Sequence, residues 1–309
     1  MQAQSGDMLS TKFIVTLAAI ADFVFCGLLS NGFITAVIIM EWATNRSLAA
    51  CEQLLLSLGV SNIFATFVLS MGLYNWNTNT IFSNALILLV FYSFCYVFLS
   101  IRYWLTAWLC VFYCVKILNS THSFFLWWRM RISRLVPRLI LGSCVISFLI
   151  SFFLALTVSI RLQSNKTANI RNITEVEKMQ ELSKNANIFF VIIGSTCPLL
   201  VVFFCSILVV VSLCRHACKM MSEGSNFRDH QTEAHVKAAR SVLSLLVLYI
   251  SFYVAQTLSS LEEFQKNLIS FLMCFIVMLI YAPVQAAILV LSNPKLKQIA
   301  SRMLSRAKS

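Results

Sequence analysis

The sequence predicts an all-α membrane protein: one bundle of seven transmembrane helices, N-terminus outside and C-terminus cytoplasmic. Three observations carry this. Of the 309 residues, 59% are apolar and 12% charged, whereas soluble domains hold about 45–50% and about 25%. Seven apolar stretches are each long enough to cross a bilayer, which takes roughly 20 residues. The basic residues fall unevenly on the two sets of connecting segments. The mean hydropathy of +0.81 agrees. So apolar a chain is not disordered, and its length excludes a small disulfide scaffold. With 8 Gly and 4 Pro it is neither collagen-like nor rich in linkers.

The spans are expected at about 13–40, 51–73, 85–115, 139–160, 187–213, 241–260 and 268–292. The first is too long for the core of a cleavable signal peptide, so it reads as an uncleaved anchor. The second opens on Glu52, beside the cytoplasm. The third carries Arg102 near its middle. The fourth and sixth each follow a basic segment. The fifth and seventh contain Pro198 and Pro283. Proline frees a carbonyl and kinks a helix, which serves either shape or a hinge. Residues 293–309 read as a short basic cytoplasmic tail. The segments between spans are connectors, so 1–309 reads as a single domain.

With the N-terminus outside, segments 41–50, 116–138, 214–240 and 293–309 lie inside and hold 16 of the 24 Lys and Arg. The outside segments hold seven, and Arg102 lies within a span. The inner acids are Glu41, Glu223, Asp229 and Glu233, so the inner face carries the entire net charge of +12. Nucleic acid is not needed to explain that charge. Two sequons, at Asn165 and Asn172, fall in an outside loop, where glycosylation occurs. Asn45 and Asn119 begin sequons on the inside and should stay bare. All eleven cysteines lie in spans or on the inner side, so no oxidised loop framework is expected. Cys214 and Cys218 fit either packing or palmitoylation. His122, His216, His230 and His235 are all cytoplasmic. No phosphate loop, HExxH or nucleophile elbow is present. The expectation is a protein that is not an enzyme, with no metal and no cofactor.

Polar residues inside the spans stand out, because a charge at the bilayer centre costs about 2.5–3.5 kcal/mol on insertion scales. They are Asp22, Glu52, Arg102, Asn31 and Asn62. Glu52 sits at a helix end and reads as solvated. Asn31, Asn62 and Arg102 fall near the middle of spans one to three, where a shared polar cluster would satisfy them. It reads as a structural clamp, a two-state switch or, third, an ion pathway. Asp22 faces away from Asn31.

Five ordered stretches resemble the type 2 (bitter) taste receptors, a family of seven-helix G-protein-coupled receptors. Gly27-Leu-Leu-Ser-Asn31-Gly-Phe33-Ile34, followed by Glu41-Trp42, is similar to the family's GxxxNxFI…(D/E)W. Trp104-Leu105 through Phe112-Tyr113, Lys116-Ile117 and Asn119 resembles WLA…FYxxKIxN, and Phe125-Leu126 continues it. Ser212-Leu213, His216 and Lys219-Met220 resemble SLxxHxxKM. His235, Lys237-Ala238 and Ser244 to Tyr249 resemble HxKA…SFLLLY. Ile288-Leu289, Asn293 and Lys295-Leu296-Lys297-Gln298 resemble ILIxxNxKLKQ. Rhodopsin-like signatures are missing: Phe112-Tyr113-Cys114 replaces the acidic-Arg-aromatic triplet. The chain also departs from the family. Asn62 stands where the family has Arg, and the expectation is that Arg102 supplies that charge. Cys95 and Leu99 stand for Trp and Asn, Phe275 for an acid of some members, and Gln285-Ala286 for His-Ser.

A helix-bundle pocket is mostly apolar with a few polar anchors. The candidate ligand residues are Tyr92, Cys95, Tyr96 and Leu99 on the third span, Phe252, Tyr253 and Gln256 on the sixth, and Phe275 on the seventh. Each aromatic equally fits plain core. The altered anchors favour an uncharged, apolar agonist. Lys116, His216, Lys219, His235 and Lys237 are placed at the cytoplasmic mouth, against a G protein or anionic headgroups. The resemblance implies a plasma-membrane chemoreceptor, a heterotrimeric G protein of the taste (gustducin, Gi) type, the lipid bilayer and a receptor oligomer as partners. Nucleic acid is not among them. Two other readings remain at this stage. One is a vomeronasal type 1-like receptor. The other is a small transporter or channel with Asp22, Arg102 and Glu52 as a relay, which the odd number of unrepeated spans disfavours.

Overall fold

The structure, a computed structural model, describes residues 2–78, 85–117, 123–167, 190–222, 230–259, 264 and 266–308. In order the elements are α1 (Gln2–Asn45), α2 (Ala50–Thr78), α3 (Ala85–Ile117) and α4 (Ser123–Thr167). A π-helical turn (Phe190–Thr196) then runs directly into α5 (Cys197–Ser222). After it come α6 (His230–Ser259), α7 (Leu268–Ser292) and α8 (Pro294–Lys308). Among the described residues, seven helices are long and apolar enough to cross a membrane. A spanning helix satisfies its backbone within itself, as hydrocarbon demands. Side-chain hydroxyls do the same: Ser30 donates to Cys26 O (2.7 Å), Thr44 to Met40 O (2.9 Å) and Ser251 to Val247 O (2.9 Å).

The outer surface is greasy. Phe25, Phe148, Phe152, Phe204 and Val247 are exposed, as suits side chains facing lipid. Arg102, Asn31, Asn62, Thr106 and Gln285 are buried. At the centre stands α3, packed against α2, α4, α5 and α6; α7 packs against α1, α2 and α6. The α1–α2 contact is close at Gly59, where a Cβ would lie 2.8 Å from Thr35 Oγ1 and 3.5 Å from Asn31 O. Only a residue without a side chain permits that approach.

Several helices outrun the apolar stretches. The fourth span, expected at 139–160, is the middle of a helix from Ser123 to Thr167. Hydropathy reports only the part of a helix that meets hydrocarbon. The residues expected as a tail form α8 instead. Asn293 separates it from α7, and Asn293 Oδ1 accepts from Lys295 N (3.0 Å) and Leu296 N (3.4 Å). Pro294 takes the first helical position, where its missing N–H costs nothing. Lys295 Nζ pairs with Glu41 and lies 3.4 Å from Glu52 Oε1, tying α8 to α1 and α2. Glu52 also accepts from Ala49 N (2.9 Å), which caps the start of α2.

Candidate functional site

Two adjoining polar assemblies occupy the middle of the bundle. The first is a chain of amides and hydroxyls. Asn31 Nδ2 donates to Gly27 O (2.9 Å) within α1 and to Ala282 O (3.1 Å) on α7. Asn62 Nδ2, on α2, donates to Asn31 Oδ1 (3.0 Å) and Gln285 Oε1 (2.8 Å). Gln285 Nε2 donates to Thr106 Oγ1 (3.0 Å) on α3 and to Tyr281 OH (3.0 Å) on α7. Thr106 donates to Arg102 O (2.8 Å). Asn31, Asn62, Thr106 and Gln285 are wholly buried, so bonds left unmade there would be costly. Four helices are joined by one network.

The cluster expected from the sequence was Asn31, Asn62 and Arg102. The two asparagines do meet. The Arg102 guanidinium does not join them; Thr106, one turn further along α3, bonds Gln285 and so links α3 to the network. The third amide is Gln285, read at first only as a departure from a motif. Its signal was available: an amide at mid-span is as conspicuous as Asn31.

The second assembly surrounds Arg102. Its guanidinium carbon lies 4.1 Å from the Phe252 ring centre, 4.4 Å from that of Tyr281 and 6.0 Å from that of Tyr103. The three rings brace one another. Phe252 meets Tyr103 at 5.7 Å and Tyr281 at 5.1 Å, both edge-to-face. Nε, Nη1 and Nη2 have no hydrogen-bond partner. Each ring face contributes about 0.5–2 kcal/mol, set against the several kcal/mol that desolvating an ion costs. Tyr281 belongs to both assemblies: its ring faces Arg102 and its hydroxyl bonds Gln285.

Around this cage α3, α5 and α6 are laced together. Tyr103 OH donates to Gln256 Oε1. Tyr249 OH donates to Ser195 O (2.9 Å) in the π turn, and Thr196 Oγ1 lies 3.2 Å from Tyr253 OH. Pi-helical turns of this kind recur at functional sites.

Of the candidate ligand residues, Phe252 is a fully buried cage wall and Leu99 is buried. Cys95, Tyr96, Tyr253, Gln256 and Phe275 are half-buried. Tyr96 packs toward Ile150 and Leu154 of α4, and the Phe275 ring lies 4.9 Å from that of Phe271, tilted against it. The side chain of Tyr92 lies outside the described residues. Lys116 is exposed with its ammonium 4.5 Å from the Phe112 ring centre, and Lys237 is exposed. The side chains of His216, Lys219, His235 and Asn165 lie outside the described residues, as does Asn172 altogether. Pro198 is buried just after the π turn. Pro283 follows Ala282, whose carbonyl holds Asn31, and its Cδ lies 3.5 Å from where a Cβ on Gly27 would stand. Asp22 is exposed on α1. Among the described residues no group of three or more His, Cys, Asp or Glu could hold a metal ion.

The chain superposes on the crystal structure of squid rhodopsin with a TM-score of 0.58, covering 94% of this chain and 84% of that one. At 13% identity this shows a shared fold alone: a seven-helix bundle. The family follows from sequence. The model described as "Taste receptor protein (TAS2R)" matches residues 8–308. Taste receptor type 2 member 104 of Rattus norvegicus is 31% identical, over 97% of this chain and 99% of its own. Member 1 of Chlorocebus aethiops is 32% identical with the same coverage, and member 40 of Gallus gallus is 30% identical over 96% and 95%. The chain belongs to the taste receptor type 2 family. It is a multi-pass membrane protein of a chemosensory, G-protein-coupled and non-enzymatic receptor class.

Proposed function

We propose that the protein is a bitter chemoreceptor of the plasma membrane. A small, largely apolar molecule enters from the outside, between α3, α6 and α7, and the cytoplasmic end engages a heterotrimeric G protein of the taste (gustducin, Gi) type. The observation that carries this reading is the coupling of the two central assemblies through Tyr281. A ligand that touches the Arg102 cage touches a network reaching α1 and α2. It shifts the receptor only so far as it binds the signalling arrangement better than the resting one. The contacts it would bias are Tyr103 with Gln256 and Tyr249 with Ser195, which hold α6 against α3 and the π turn. Lys116 and Lys237 are exposed near the far ends of α3 and α6, where a positive surface would meet the G protein or anionic headgroups. The basic bias of the segments at that end supports a cytoplasmic C-terminus.

The test is a calcium-response screen in cultured cells carrying a taste-type G-protein chimera, against a panel of bitter plant compounds. A dose-dependent response that vanishes without the chimera is expected. Silence across the panel, with the chain present at the cell surface, would count against the reading.

A further inference from the structure

Arg102 is the only buried charged side chain among the described residues. Among the described residues no carboxylate pairs with it. Its guanidinium nitrogens make no hydrogen bond. A structural clamp would be bonded. The network one turn away is bonded almost throughout, and it leaves Arg102 out. Asn62 Oδ1 is also buried and unbonded, yet the guanidinium turns to the faces of Phe252 and Tyr281 instead. The rings fix its position and leave its N–H fork unused. They belong to α6 and α7, so the fork lies between the helices that line the proposed ligand cleft. Leu99 lies about one turn further out on α3 and Gln256 one turn further out on α6.

We propose that Arg102 receives the anionic end, a carboxylate or sulfonate, of an amphipathic ligand whose apolar body lies outward beside Leu99 and Gln256. This rests on the receptor reading and narrows its ligand class. The expectation of an uncharged agonist came from anchors lost at Cys95, Leu99 and Phe275; it did not count the cation below them. A planar oxyanion matches a guanidinium fork in two parallel hydrogen bonds, and a neutral ester does not. In a water-poor interior that difference is enlarged.

The experiment uses the purified full chain in lipid nanodiscs. Its thermal unfolding is followed by a thiol-reactive dye that reports the buried free cysteines Cys110, Cys114, Cys205 and Cys274. The probes are arylalkyl carboxylates and sulfonates, each beside its own methyl ester, with sodium chloride alone as the free-ion arm. The acids should raise the unfolding temperature of the wild type at concentrations about tenfold below the esters. R102M should remove that preference. It is expected to fold, because an apolar residue of similar length relieves an unpaired buried charge. R102K, which keeps the charge and loses the fork, should lower the preference without removing it. Equal stabilisation by acid and ester, or a preference that persists in R102M, would overturn the proposal. Chloride matching the acids would overturn the ligand as the source of the anion. No G protein is present, so failure of the signalling screen and failure of this site are read separately.

Discussion

Replacing Gln285 by leucine cuts three hydrogen bonds with little change in volume. Gln285 accepts from Asn62 (2.8 Å) and donates to Thr106 and Tyr281 (both 3.0 Å). Hydrogen bonds between membrane helices average about 0.6 kcal/mol in double-mutant cycles, so three give about 2 kcal/mol. A fully stranded buried group would add about 1–3 kcal/mol. Few are stranded here. Asn62 Nδ2 keeps Asn31, and Thr106 and Tyr281 keep one another at 3.3 Å. The expected loss is therefore about 2–3 kcal/mol. At about 2–4 °C per kcal/mol for a domain of 150–250 residues, the unfolding temperature in nanodiscs should fall by at least about 4 °C. A double-mutant cycle with N62L should show coupling, since both single changes remove the same bond. An unfolding temperature within about 1 °C of wild type, or strictly additive single changes, would refute the network as the joint between α1, α2, α3 and α7.

Other expectations are simpler. G59A should cost about 1–3 kcal/mol, because the new methyl meets Thr35 Oγ1 and Thr35, being β-branched, is stiff on a helix; T35A/G59A should recover most of it, measured by thermal unfolding. K295A should change stability by less than about 1 kcal/mol, and by less still in high salt, since the Lys295 side chain is 48% exposed. K116E should weaken G-protein activation at unchanged surface expression; full signalling would remove Lys116 from the coupling surface. Treatment with an N-glycosidase should shift the gel mobility of the chain, and N165Q/N172Q should abolish that shift; no shift in the wild type would leave the outside assignment of that loop without support.

The seven-helix plan was legible because the bilayer makes it so: a spanning segment must be long, apolar and self-bonded. The ends of α4 were not, since beyond the hydrocarbon they carry no long apolar run; α8 shows only in an amphipathic period, which a search for apolar spans passes over. Nothing in the composition around Ser195 announces a π turn. Depth in the membrane can be counted along the chain; direction around a helix axis is harder. That is why Asn31 and Asn62 were rightly set side by side while Arg102 was given the place that Thr106 occupies. It is also why Phe252, a ligand candidate, was not foreseen as a ring packed over Arg102. Gln285 was visible but was weighed as a motif difference rather than as an amide without water.

Tyr281 is a rigid body with two addresses. Its ring and its hydroxyl cannot move separately, so any displacement of the ring by a change of charge at Arg102 is also a displacement at Gln285. The two halves can still be parted by chemistry. Tyr281→Phe keeps the aromatic face and deletes the oxygen, so the cage can be left standing while its connection to the amides is cut.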